Sequence, residues 1–203
     1  MTSRYNQLSG RNVERLQTLA DGVFAVAMTL LVLDVRLPAV GADSNRELWS
    51  QLVELGPRFA AYLLSFTMLG TFWLALHALL DRVERSDRTL SWACLSYLFF
   101  VSTLPFSAST LAGHVHLALA VGVYWLNLAG LGATLAWQIA HVQRAGSVDD
   151  PDVLLLLRRR LILAQGLYAV AALIALVSPP VSIVALAAFQ VFFVVSPRLP
   201  LRT

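Results

Sequence analysis

The sequence predicts an all-α, polytopic membrane protein with six transmembrane helices, and three observations support this fold class. Hydrophobic residues make up 58% of the 203 residues and charged residues only 13%, whereas about 25% of a soluble domain is charged. Six apolar stretches alternate with polar connections, and about 20 helical residues cross the hydrocarbon core of a bilayer. The arginines are concentrated in alternate connections. We therefore expect one six-helix transmembrane domain over residues 1–203.

The second expected span is the longest. In chain order, we expect spans at residues 14–37, 48–80, 89–107, 117–140, 153–177 and 181–195. The first span carries no charge between Gly22 and Leu33, and Pro38 stops it. The second has an amphipathic start, and the pair Gly56 and Pro57 marks where we expect it to enter the membrane.

Polar and proline-containing connections delimit the later spans. The charged turn 81–88 separates the second span from the third, and Pro105 lies near the end of the third. Residues 141–152 form the longest polar connection. Pro151 follows two aspartates, which is typical of a helix start. The turn 178–180, with its two prolines, separates the fifth span from the sixth.

The arginines predict how the chain is oriented. All 15 basic residues are arginine, and twelve of them lie in the N-terminus, residues 81–88, residues 141–160 or the tail. Only Arg36, Arg46 and Arg58 lie on the other side. Because arginine-rich connections stay in the cytoplasm, we expect both termini to be cytoplasmic. The N-terminus lacks the apolar core of a cleavable signal peptide, so we expect the first span to remain in the mature protein.

Several classes of function have no support in the sequence. It contains no phosphate-binding loop, HExxH, GxSxG or paired-cysteine metal motif, so we expect no enzyme, no cofactor and no metal site. His114 and His116 lie in a short connection, where solvated histidines are the ordinary case. Cys94 is the single cysteine, which excludes an internal disulfide. The net charge of +3 is small and dispersed, so we expect no nucleic-acid partner.

The first span could form the wall of a pore. At 100° per residue, one stripe of this helix contains Gly22, Val26, Thr29, Leu30, Leu33 and Leu37. Asp21 lies on the far side. Because the span is apolar all round, periodicity alone does not show which stripe lines a pore. A buried helix with a capping aspartate explains the same residues equally well.

The charges of the first span need partners. Asp21 lies more than one turn deeper than Arg15, where a lone charge is costly and has a partner or a function. The two are six residues apart and do not share a helix face. Trp73 and His77, one turn apart in the second span, are candidate partners. A histidine inside a bundle commonly satisfies a hydrogen bond, and a gating or proton-linked role is the alternative because histidine titrates near neutral pH.

Four ordered blocks of sequence are distinctive. They read R-x-x-x-L-A-D over residues 15–21, G-V-F-A-V-A-M-T-L-L-V-L over 22–33, F-W-x-x-x-H over 72–77 and L-P-F over 104–106. Together they resemble the bacterial relatives of transmembrane protein 175, the lysosomal potassium channel. After residue 106 only the topology is similar. Leu19 and Ala20 replace the phenylalanine and serine of the family motif, and the lost hydroxyl would remove one hydrogen bond worth roughly 0.5–1.5 kcal/mol.

The resemblance implies a potassium-permeable cation channel in a bacterial plasma membrane. It implies a homotetramer with the first helices around the axis and without the carbonyl pore loop of ordinary potassium channels. Val26 would form the narrow hydrophobic layer, Thr29 a ring of hydroxyls and Leu33 a further apolar layer, with Leu30 beside them. Apolar rings can close a pore by dewetting, and hydroxyl oxygens can partly replace the hydration of potassium ions.

The resemblance also implies a polar network of Arg15, Asp21, Trp73 and His77 that holds the first helix against its neighbours. Two alternative functions remain open on the sequence alone. One is a proton-coupled transporter or proton pathway that uses Asp21 and His77. The other is a non-conducting membrane scaffold.

Overall fold

The computed structural model describes residues 13–37, 41–83, 86–146 and 151–195, and this part of the chain is all-helical, as expected. Its helices are α1 Val13–Leu31, α2 Asn45–Glu54, α3 Gly56–Leu80, α4 Arg88–Gly113, α5 Ala118–Ala145, α6 Pro151–Ile174 and α7 Pro179–Val195. A short 3-10 helix, Val32–Asp34, continues α1.

Within the described ranges, four helices are long and apolar enough to cross a membrane: α1 with its 3-10 extension, α3, α4 and α5. The two remaining long helices differ from them. The first half of α6 contains the consecutive residues Arg158, Arg159 and Arg160, and α7 is apolar but only 17 residues long. Length and composition therefore support four of the six expected spans directly.

Two prolines have different effects on the helices. The expected second stretch, residues 48–80, consists of α2 and α3, which meet at Leu55. Pro57 lies in the first turn of α3, where its missing N–H is tolerated. Pro105 lies inside α4, which continues to Gly113. Neighbouring helices and hydroxyl side chains make such a proline tolerable in a membrane helix.

The helices pack as a bundle with α4 and α5 at its centre. Helix α1 packs against α3 and α4, while α6 and α7 pack against each other and against α5. Two glycines of α5 allow close approach. A side chain at Gly130 would overlap the Phe100 ring of α4, and one at Gly132 would overlap Gln165 of α6. Small residues at such positions let helix backbones pack tightly in a membrane.

Hydrogen bonds between helices satisfy buried polar groups. The Tyr97 hydroxyl of α4 donates to the Phe72 carbonyl of α3 at 2.8 Å. Gln190 of α7 accepts from the Tyr168 hydroxyl of α6 at 3.0 Å and donates to Thr71 Oγ1 of α3 at 2.7 Å. Such bonds fix the register of neighbouring helices, because an unpaired polar group in an apolar interior is costly.

Helix α2 differs from the rest because none of its residues is buried. Ser44 caps its N-terminus by accepting from the Glu47 amide. Its apolar side chains form one exposed face that consists of Leu48, Trp49, Leu52 and Val53. The helix is therefore amphipathic and lies outside the core of the bundle.

Candidate pore-lining surface and polar cluster

One face of α1 is fixed inside the subunit. Ala20, Phe24, Ala27 and Leu31 are at most 2% exposed and belong to the apolar core. The Phe24 ring lies against the Tyr97 ring of α4, with 6.1 Å between the ring centroids. The spacing of these four residues follows the helical period, so one continuous face of α1 packs on its neighbours.

The opposite face is uncovered. The α1 stripe, as we call the set predicted from helical geometry, is exposed along its whole length in the single chain; its members are Gly22, Val26, Thr29, Leu30, Leu33 and Leu37. Val26 is 58% exposed and Leu33 is 50% exposed. A groove of about 530 Å³ runs along the stripe from Thr18 to Leu30 and includes Ser102 of α4. An apolar surface of this length is available to lipid or to further copies of the chain.

Thr29 carries the hydroxyl of the stripe. Its Oγ1 donates to the Val26 carbonyl at 2.8 Å. A hydroxyl has one donor and two acceptor lone pairs. Because the donor is used within the helix, the oxygen is left as an acceptor toward the open side. An exposed acceptor oxygen can contribute to the coordination of a cation.

Asp21, Trp73 and His77 form a polar cluster between α1 and α3. Trp73 Nε1 donates to Asp21 Oδ1 at 2.8 Å, and His77 Nε2 lies 3.2 Å from the same oxygen. The Trp73 and His77 rings are packed with their centroids 4.4 Å apart. The other ring nitrogen of His77, Nδ1, lies 3.1 Å from the Trp73 carbonyl. The cluster therefore positions α1 against α3 through one carboxylate oxygen.

Arg15 lies outside the polar cluster. Its side chain is exposed, and it has no hydrogen-bond or ion-pair partner among the residues that the structure describes. Arg15 is six residues from Asp21, which places the two on different sides of α1. Of the four polar residues named from the sequence, the structure brings together the three others.

Two further contacts, which the sequence analysis did not identify, hold the ends of α1. Gln17 Nε2 donates to Asp81 Oδ1 at 2.7 Å, and Ser109 Oγ donates to Asp34 Oδ1 at 3.0 Å. The first pair had a signal in the sequence. Gln17 and Asp81 each lie one helical turn from a member of the polar cluster, and residues one turn apart share a helix face.

The fold and these surfaces define a class of protein: a helical membrane protein whose N-terminal helix is fixed on one face and presents an apolar, hydroxyl-bearing stripe on the other. A sequence profile described as Endosomal/lysosomal potassium channel TMEM175 matches residues 15–105, a range that holds the stripe and the polar cluster. A potassium channel of Streptomyces collinus is 35% identical over 147 residues, 68% of each chain. The chain belongs to the TMEM175 family, which confirms the resemblance seen in the sequence motifs.

More distant similarities extend over different lengths. A chicken protein named as an endosomal/lysosomal proton channel, TMEM175, is 34% identical over 98 residues, which are 45% of this chain but only 20% of that protein. A crystal structure of a lysosomal potassium-selective channel TMEM175 homolog from Chamaesiphon minutus superposes with a TM-score of 0.78 at 25% identity. That superposition covers 90% of this chain and 96% of the other, so the shared fold extends beyond residues 15–105.

Proposed function

We propose that the chain is the subunit of a potassium-permeable cation channel whose pore is lined by α1. The observation that carries the proposal is the exposed α1 stripe, since the subunit buries the other face of the same helix and leaves this one open. The relatives support the choice of ion. The Streptomyces protein is named a potassium channel, and the Chamaesiphon protein is described as potassium-selective.

The assembly we propose is a homotetramer with four α1 stripes around the axis. Cyclic symmetry places the same residue of each subunit at the same height. Val26 and Leu33 would form two apolar rings, with Leu30 beside them and the Thr29 hydroxyls between. Thr29 is about 4.5 Å along the helix from Val26 and about 6 Å from Leu33. Narrow apolar rings would control the pore by dewetting, and the hydroxyls would replace part of the hydration of the ion.

The membrane topology we propose has six spans, with α6 and α7 as the fifth and sixth. Arginine can extend along the helix to the headgroups, so Arg158 to Arg160 are compatible with a span whose apolar part follows them. The distribution of arginine over the loops supports cytoplasmic termini, and the bacterial relatives support a bacterial plasma membrane. No pore loop is required, because α1 supplies the pore wall.

The polar cluster would orient the stripe. It contacts α1 on the side away from the proposed axis, where Trp73 and His77 hold the Asp21 carboxylate. A change in these contacts would turn α1 and with it Val26 and Thr29. We therefore propose a structural or gating role for the cluster and no contact with the ion.

Replacing Thr29 by valine tests the proposed pore wall. The side chains are similar in shape, so the variant removes four hydroxyls and joins two apolar layers into one. We expect the potassium conductance in planar bilayers to fall by roughly fivefold or more and the selectivity to change. Thr67→Val is the matched control, because Thr67 is also exposed and donates to a carbonyl of its own helix, α3, at 2.9 Å. Unchanged conductance and selectivity in Thr29→Val would remove Thr29 from the pore.

The second candidate function is a proton-coupled transporter or proton pathway through Asp21 and His77. The 3.2 Å contact between their side chains favours it, because a histidine and a carboxylate at this distance can exchange a proton. Flux driven by a pH gradient in proteoliposomes separates the two candidates. The proton pathway would be favoured if this flux does not require the tetramer and is lost in His77→Ala.

A further inference from the structure

A second apolar space lies elsewhere in the bundle. It is a cavity of about 390 Å³ that is bordered by α3, α5, α6 and α7. Leu74, Ala75, Ala164 and Phe193 are among its apolar lining residues. Leu74 is largely exposed, so the cavity has an opening on the outer surface of the bundle. In a membrane such an opening faces lipid.

Arg160 is the charged residue in the lining of this cavity. It is the last of the three consecutive arginines of α6. Arg158 and Arg159 are exposed, whereas Arg160 is half-buried at the edge of the cavity. A step of two residues corresponds to about 200° around a helix, so Arg158 and Arg160 lie on opposite sides of α6.

On the membrane topology proposed above, helix lengths support a position of Arg160 near the lipid headgroups. After Arg160, the apolar part of α6 continues to Ile174, and α7 returns over 17 residues from Pro179. The 17 residues of α7 span about 25 Å, close to the thickness of the hydrocarbon core. The last turn of α7, with Val194, lines the same cavity as Arg160. By the arginine bias of the loops, this level belongs to the cytoplasmic leaflet.

We propose that the cavity binds an anionic phospholipid of the cytoplasmic leaflet. One acyl chain occupies the apolar cavity, and Arg160 binds the phosphate. A guanidinium matches phosphate with two parallel hydrogen bonds, and a mostly apolar pocket with a few placed polar groups is typical of a ligand site. The proposal rests on the membrane topology proposed above but not on conduction of ions.

The test compares two arginine variants in the full-length, assembled protein. Native mass spectrometry measures the retention of phosphatidylglycerol and of phosphatidylcholine with identical acyl chains, each titrated in detergent. We expect Arg160→Gln to weaken the retention of phosphatidylglycerol about fivefold more than Arg158→Gln does, since one arginine at a membrane surface has about this effect. The preference for the anionic lipid should fall in Arg160→Gln alone.

A third variant tests the acyl site without a change of charge. Ala164→Phe places a ring in the cavity and should weaken the retention of both lipids, with Arg160 intact. Equal losses in the two arginine variants would overturn the proposal in favour of general surface attraction. Glycerol phosphate that competes as well as the whole lipid would also overturn it, because the site would then bind free phosphate. If Ala164→Phe does not fold, as judged by gel filtration, the comparison of the two arginine variants is the test of the proposal.

Discussion

The two faces of α1 are both largely apolar and have opposite environments. Phe24 is 1% exposed and packs against α4, while Val26, two residues further, is more than half exposed. The buried face combines small residues with one aromatic ring, which lets neighbouring helices approach and interlock. The open face carries branched aliphatic side chains and a single hydroxyl. The difference shows that one face serves the folding of the subunit, whereas the other remains exposed in the folded subunit.

The largest effect that we expect in this comparison is on stability, from a change on the buried face. Phe24→Ala removes the ring that packs against Tyr97 and leaves a cavity. We expect a loss of roughly 2–4 kcal/mol, somewhat below the range for a soluble core because lipid replaces water in the reference state. Unfolding of the purified protein in a denaturing detergent titration measures this loss.

Val26→Ala is the matched change on the open face. It also shortens a side chain of α1, but Val26 lies outside the core of the subunit, so we expect a loss of at most about 1 kcal/mol. Equal losses in the two variants would show that both faces serve the folding of the subunit, and the distinction between them would have to be abandoned.

The sequence predicted the all-α class and the family because both can be recognised from continuous stretches of sequence. Apolar stretches of sufficient length specify helices, and the block over residues 22–33 is long and specific. The choice of stripe did not follow from periodicity. Helix α1 is apolar on all sides, so only the family motif distinguished Val26 and Thr29 from the residues that the structure buries, such as Phe24 and Ala27.

Other features depend on packing that a single sequence does not display. Arg15 belongs to the family motif, yet it is exposed and lies outside the polar cluster, and its position depends on how α1 is rotated against α3. The break at Leu55 follows from Pro57, which has no N–H for the carbonyl of Val53. Pro105 lacks the same group and remains inside α4. A proline therefore marks a helix boundary at one position and lies inside a helix at another, and its presence in the sequence does not distinguish the two cases.

A change of polarity on the open face should produce an intermediate effect, on conduction. Val26→Thr keeps the size of the side chain and adds a hydroxyl to the proposed apolar ring. Because wetting of a narrow ring depends on its polarity, we expect the potassium current to rise by roughly severalfold. Val32→Thr provides the control, since Val32 is also exposed, at 47%, and does not belong to the α1 stripe. An equal rise in both variants would mean that the effect is not specific to the proposed ring.

The smallest effect should come from the contact that sets the rotation of α1. Trp73→Phe retains an aromatic ring beside His77 but removes the N–H that donates to Asp21 at 2.8 Å. The Asp21 side chain is 52% exposed, so water compensates in part, and we expect a loss of roughly 0.5–1.5 kcal/mol in the same unfolding titration. The current should change as well, because a looser cluster allows α1 to turn.

Trp92→Phe is the control that distinguishes the loss of the hydrogen bond from Trp73 to Asp21 from the loss of an indole in general. Trp92 lies on α4 and is 57% exposed, and its substitution should leave both the unfolding midpoint and the current nearly unchanged. If Trp73→Phe lowers the stability and the current keeps its amplitude and selectivity, the cluster fixes the fold of the subunit without controlling the stripe. The buried and the open face of α1 would then be independent of each other, and a gating role for Asp21 would have no support.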